Sequence, residues 1–190
     1  MEKTLDFKEY FRRNLPHYQQ NKRIYFVTTR LYFKLPDKLC KLIFDYHTHR
    51  KEFLDYDLYL AKIDSPQWLA QDNVSKIVND TLKYHENLKY MLYAYCIMPN
   101  HLHLLLQPMK GNSLSAVMHS IKSYTTHRMK GIINYGDHFW QNENYDHTIR
   151  NTDDFENTLN YIIENPVKAG LVENWEDWKW TFYNAELLSK

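Results

Sequence analysis

The stretch Lys89-Tyr-Met-Leu-Tyr-Ala-Tyr-Cys-Ile-Met-Pro-Asn-His-Leu-His-Leu-Leu-Leu-Gln107 decides the architecture. Aromatic and aliphatic residues from Lys89 to Met98 make one strand, and His101–Gln107 makes a second. Pro99-Asn100 between them reads as a turn or bulge, so the two strands are neighbours. Upstream, the β-branched and aromatic run Ile24-Tyr-Phe-Val-Thr-Thr-Arg30 is a further strand. Between these, Pro36-Asp37 opens a helix to about Leu54. Ser65-Pro66 precedes a second helix, with Trp68, Leu69, Val74, Ile77, Val78 and Leu82 as its buried face. Downstream, Ser113 caps a helix from Leu114 to about Lys130, and Phe139–Arg150 is extended. Thr152-Asp-Asp-Phe opens a helix that Pro166 stops near Asn165, and Trp175–Tyr183 carries too few signals to assign. The order strand, helices, two adjacent strands, helix, strand predicts an α+β fold, an antiparallel sheet with helices packed on one face on the split β-α-β plan. A single domain spans 1–190, with 1–23 as a possible basic arm and 151–190 as a C-terminal helical extension.

Composition excludes several function classes. The chain has 190 residues, 44% of them apolar and 25% charged, which is globular rather than disordered. No apolar run approaches the ~20 residues of a membrane helix, and Met1–Glu9 lacks a signal peptide's apolar segment. Cys40 and Cys96 stand far apart and without metal spacing. The expectation is a reduced cytoplasmic protein with no membrane partner. Gly111, Gly131, Gly136 and Gly170 are the only glycines, so no Gly-x-Gly dinucleotide fingerprint exists. Gly131 and Gly136 have P-loop spacing, but Asp137-His138 follows where Lys-Ser/Thr is required.

A formal net charge of +1 makes no strong case for nucleic acid. Local charge is less even. Lys3, Lys8, Arg12, Arg13, Lys22 and Arg23 stand against Asp6 and Glu9, a run that suits either a phosphate backbone or a solvated surface. The 16 tyrosines, 9 phenylalanines and 5 tryptophans suit base stacking, although most aromatics simply fill cores.

The candidate chemistry begins at His101 and His103. On a strand, residues two apart share a face, so both imidazoles leave one side of the sheet and form a half-site for a divalent metal. An ordinary pair of sheet histidines is the alternative. His47 and His49 have the same spacing on an expected helix, where they diverge by roughly 200° and cannot share an ion. The helix after Ser113 has an inward stripe of Leu114, Val117, Met118 and Ile121, and three-residue spacing extends it to Tyr124. His127 and Arg128 follow on the same general side. That polar finish suits an active-site floor or a helix end meeting solvent.

Met98-Pro-Asn-His-Leu-His-Leu-Leu-Leu106 resembles the histidine–hydrophobic–histidine motif of the single-tyrosine transposases, above all the REP-associated tyrosine transposases. Arg12-Arg-Asn-Leu-Pro-His-Tyr18 and Tyr25-Phe-Val-Thr-Thr-Arg30 resemble that family's opening. Phe139-Trp-Gln-Asn-Glu-Asn-Tyr-Asp-His147 and Tyr161-Ile-Ile-Glu-Asn-Pro-Val-Lys-Ala-Gly-Leu-Val172 resemble its later signatures. The resemblance implies a ferredoxin-like sheet, with His101 and His103 as ligands of Mg²⁺ or Mn²⁺ and Tyr124 as nucleophile. It implies cleavage and rejoining of single-stranded DNA at the foot of a hairpin through a 5′-phosphotyrosine link, by a monomer or homodimer. Arg12, Arg13, Lys22, Arg23, Lys122 and Arg128 are the expected DNA contacts. Related transposases often place Gln or Asn four residues after the tyrosine to complete the metal site. Arg128 stands there instead, and His127 or Glu143 is a possible replacement. Two other readings are a hairpin-binding protein that has lost cleavage and a metal-dependent hydrolase of small phosphates without a tyrosine intermediate.

Overall fold

The computed structural model describes residues 8–12, 16–20, 23–34 and 59–188, the first two segments as backbone only. The helix expected over 36–54, His47, His49, Arg13 and Lys22 lie outside the described residues. Strands β1 (Lys8–Arg12) and β2 (Pro16–Gln20) pair as an antiparallel two-stranded sheet, within the segment read as a basic arm.

The main sheet is built on β3 (Tyr25–Arg30), β4 (Tyr90–Ile97), β5 (His101–Pro108), β6 (Tyr145–Thr148) and β7 (Thr181–Tyr183). Its order is β6-β3-β5-β4-β7, and every pair is antiparallel. Helix α1 (Asp72–His85) lies between β3 and β4 in sequence, and α2 (Leu114–Met129) lies between β5 and β6. The first four strands therefore have the ferredoxin-like order, with β7 added at the β4 edge. The α+β fold read from the sequence is the one observed.

Alternation along β5 divides the interior. Leu102, Leu104 and Leu106 enter a cluster with Val27, with Val74, Val78 and Leu82 of α1, and with Val117 and Ile121 of α2. Leu105 points the other way, into a cluster with Phe26, Ala94, Cys96 and Ile162. Ile162 belongs to α3 (Thr152–Lys168), which covers the second face together with Phe155 and Leu159. The helices are thus not confined to one face. The segment beyond residue 150 supplies both a covering helix and a strand of the sheet. A bulge in β4 between Leu92 and Ala94 lets Tyr93 and Ala94 both join the α3 side, where Tyr93 meets Phe155 at 5.3 Å.

Three local expectations change. Ser65 does not cap α1. A 3₁₀ turn at Trp68–Ala70 intervenes, α1 starts at Asp72, and Ser65 instead accepts a hydrogen bond from Asn100 Nδ2 at 2.8 Å. The stripe of α2 continues through Thr125 and Met129, and Tyr124 is 51% exposed. Pro166 does not end α3, which runs on to Lys168. Gly170, at φ 72°, ends it instead. There Gly170 N–H donates to Val167 O and Leu171 N–H to Pro166 O, the paired bonds of a Schellman motif. Among the described residues, no helix is long and apolar enough to cross a membrane.

Thr125 is polar yet fully buried because Trp140 needs it. Trp140 Nε1 donates to Thr125 Oγ1 at 2.8 Å, and that hydroxyl donates to Ile121 O at 2.8 Å. Thr125→Val keeps the shape but leaves the indole N–H without its acceptor, an expected loss of about 1–3 kcal/mol. Urea unfolding of the variant checks this, and an unchanged midpoint would contradict it.

Candidate active site

His101 and His103 are fully buried on the α3 side of β5, with ring centroids 4.8 Å apart. Their alternation with the leucines is the one expected. Each Nδ1 is held. His101 Nδ1 meets Asn100 Oδ1 at 2.6 Å, and His103 Nδ1 meets Thr28 Oγ1 at 2.8 Å across the β3–β5 pair. Phe26 stacks on His103 at 5.6 Å and 22°. With Nδ1 occupied, Nε2 is the nitrogen through which each ring would bind a cation.

Tyr93, Tyr145 and, from α3, Tyr161 all lie on this face, and Tyr161 is the one whose ring contacts a histidine of the pair. Its ring lies 5.6 Å from the His103 ring and 6.0 Å from Phe26. Asn165 follows one helical turn later and is buried, so it lies on the same side of α3 as Tyr161. Lys168 Nζ sits 5.3 Å from the Tyr161 ring centroid, a cation beside the phenol. At the start of the helix, the His147 ring and Asp154 Oδ2 are 2.8 Å apart, and Asp154 also accepts from Arg150 N–H at 3.1 Å. These bonds tie β6 to α3 and fix where the helix begins.

Tyr124, His127 and Glu143 are not brought to the histidine pair. Their helix and loop belong to the opposite face of the sheet, because β5 presents its leucines there. His127 and Glu143 instead line a cleft of about 910 Å³ between α2 and the 137–146 loop, with Lys122, Lys130, Asp137 and Asp146. Among the described residues, no group of three or more His, Cys, Asp or Glu is placed to hold a metal. Neither His127 nor Glu143 therefore supplements His101 and His103. Arg128 is exposed on α2, Arg23 is half-buried, and Arg12 falls in β1, where only the backbone is described. Lys122 is committed internally, donating to Gln141 O at 2.7 Å and Asn142 O at 3.1 Å.

A sequence signal for Tyr161 existed. Of the 16 tyrosines, only Tyr10 and Tyr161 have Asn or Gln four residues later, and Tyr10 lies in a strand, where that spacing does not make one face. Three-residue spacing from Ile121 aims the α2 stripe at Tyr124, the position to which the resemblance assigns the nucleophile, but the buried stripe continues by four, to Thr125. Other tyrosines are spoken for: Tyr90 donates to Leu82 O at 2.8 Å, and Tyr95 to Asn79 Oδ1. Burial raises the pKa of both phenols.

Fold and site together define a ferredoxin-like α+β protein whose central strand carries paired histidines under a helix bearing tyrosine and asparagine. The family model described as "Transposase IS200 like" matches residues 56–165, more than half of the chain, and the protein belongs to that family. It is thereby a transposase-type protein that acts on DNA. A Haemophilus influenzae protein bearing the REP-associated tyrosine transposase name is 27% identical over 152 residues, covering 73% of this chain and 86% of its own. The REP-associated tyrosine transposase of Escherichia coli K12 is 29% identical over 107 residues, 56% of this chain and 62% of its own. A solved REP-associated tyrosine transposase bound to a REP hairpin has a TM-score of 0.60 at 21% identity, over 94% of this chain and 84% of that one, a likeness of fold. The family resemblance seen in the motifs is the one these comparisons give.

Burial pushes the Lys122 amine down to about 7, with Glu143 opposing and Arg30 adding to the fall. A lysine depressed in the folded state binds fewer protons there than in the unfolded chain between pH 7 and roughly 10.4. Stability therefore rises with pH across that window. Lys122→Met, titrated by urea unfolding from pH 6 to 10, should lose that rise. A wild type and variant with parallel pH profiles would contradict it.

Proposed function

We propose that the protein is a metal-dependent single-stranded DNA endonuclease and strand transferase whose nucleophile is Tyr161. The observation that carries this reading is the Tyr161 ring 5.6 Å from His103, with buried Asn165 one turn on, over the His101–His103 pair. Two imidazoles and an amide oxygen are a donor set that accepts Mg²⁺ or Mn²⁺, so His101, His103 and Asn165 would hold the ion. When bound, such an ion supplies Lewis-acid polarisation of the scissile phosphate.

The chain's own groups account for the rest. A phenol with pKa near 10 is a weak nucleophile at neutral pH. Lys168 Nζ lies 5.3 Å from the Tyr161 ring centroid, a cation–π contact that helps hold the ring in place. Phe26 and His103 fix the ring against the sheet, which orients the oxygen before the substrate arrives. The Tyr161 oxygen bonds to phosphorus as the bond from phosphorus to the 3′ oxygen breaks. The phenol proton leaves, the 3′ oxygen gains one, and the DNA 5′ end remains on the protein. Because one phosphodiester replaces another, rejoining needs no nucleotide hydrolysis.

The substrate we infer is single-stranded DNA beside a hairpin, and the structural relative is described as bound to a REP hairpin. Its affinity should fall as salt rises, through displaced counterions. A cleavage-deficient hairpin binder would be favoured if Arg128 spoiled the metal site, and Arg128 is exposed on α2.

Incubation with Mn²⁺ and a single-stranded hairpin substrate should give a denaturant-stable adduct on the peptide holding Tyr161. Tyr161→Phe should remove it, while Tyr124→Phe, altering an exposed phenol, should retain it at near wild-type yield. An adduct on Tyr124 would refute the assignment. His101→Ala/His103→Ala should abolish Mn²⁺ binding with the circular dichroism spectrum unchanged, and a double variant that still bound Mn²⁺ at wild-type affinity would sink the metal site.

A further inference from the structure

Asn100 precedes the first histidine at the β4–β5 turn and is 2% exposed. Its amide is fully committed. Nδ2 donates to Leu60 O at 2.6 Å and to Ser65 Oγ at 2.8 Å. A backbone carbonyl can only accept, so the nitrogen must lie on that side, and Oδ1 must be the atom facing His101 Nδ1 at 2.6 Å. An amide oxygen can only accept as well. His101 Nδ1 therefore carries the hydrogen, and in a neutral ring the lone pair sits on Nε2.

We propose that Asn100 is a positioning residue that locks His101 in the Nδ1–H tautomer, so that the ring presents its Nε2 lone pair for metal ligation. The metal half rests on the proposed role of His101, whereas the tautomer half does not. The orientation is imposed from 35 to 40 residues away, by Leu60 and Ser65. The contact at His103 Nδ1 is of a different kind. That nitrogen meets the Thr28 hydroxyl, which donates or accepts with equal ease. Asn100 acts through the ring rather than on a substrate. Outer-shell partners of this type are worth ~10–100-fold in metal affinity.

The test reads the tautomer directly. The full-length metal-free protein, labelled with ¹⁵N at histidine, is examined by long-range ¹H–¹⁵N correlation at a pH where His101 is neutral. The wild type should show His101 protonated at Nδ1. Asn100→Ala should move it toward the Nε2–H form, leave the signals of exposed His119 in place, and weaken Mn²⁺ affinity about 10–100-fold by calorimetry. Asn100→Asp retains the acceptor for Nδ1–H and should retain the tautomer. If Asn100→Ala does not fold, Ser65→Ala, which removes one of the two acceptors holding the amide, should populate a measurable fraction of Nε2–H. His101 locked as Nδ1–H in Asn100→Ala, or in Ser65→Ala where that variant is used, would overturn the proposal. So would a wild type protonated at Nε2. A tautomer shift in a protein that binds no Mn²⁺ would uphold the lock and remove the metal reading instead.

Discussion

The pairing of β5 between β3 and β4 is the constraint on which the rest depends. A central strand has no solvent side, so its two faces must each be matched by a covering layer. Leu102, Leu104 and Leu106 alternate along β5, and α1 and α2 meet them with apolar stripes. Odd-numbered positions begin with two histidines, which a greasy layer cannot cover without stranding ring nitrogens. The second face is therefore built differently. Thr28 and Asn100 hold the Nδ1 atoms, Phe26 stacks on one ring, and the helix laid over them brings Tyr161 and Asn165. Two-residue periodicity in one strand thus separates a packing face from a chemical face.

Where local rules decide the outcome, the sequence was legible. The strands around Pro99-Asn100, the capped helix after Ser113, and the common face of His101 and His103 all follow from periodicity and turn chemistry. The antiparallel order followed because short connections leave few topologies. The site was legible only in half. Tyr124 and Thr125 are adjacent on α2, and a phenol looks more like a core residue than a threonine does. The choice between them is made by Trp140, 15 residues away, whose buried N–H requires a hydroxyl inside. Nothing in the helix's own pattern records that demand.

The α3 misreading has a different cause. A proline inside a helix costs an intrahelical bond and clashes with the carbonyl four residues back, which is why Pro166 reads as a stop. Here it falls in the final turn, one residue after Asn165, where Gly170 and the Schellman bonds end the helix properly. A helix ending near Asn165 leaves that residue at a fraying boundary, whereas the structure holds Tyr161 and Asn165 inside one continuous helix. The contacts of Asn100 with Leu60 and Ser65, and of His147 with Asp154, belong to the same class of unreadable facts. They join residues whose proximity is a product of the completed fold.

The helix that carries the tyrosine is also the cover of a sheet face, so site and core are not separable parts. Ile162 and Tyr161 are consecutive, one buried in the cluster with Leu105 and Cys96, the other packed against it and beside His103. A shift of α3 along its axis would move both together, opening the apolar layer as it displaced the phenol. The anchors at its two ends, the His147–Asp154 contact and the Gly170 terminus, fix that axial position. Placement of Tyr161 is therefore held by the same interactions that exclude water from the sheet. Pre-organisation of this kind is maintained by folding free energy rather than by binding substrate.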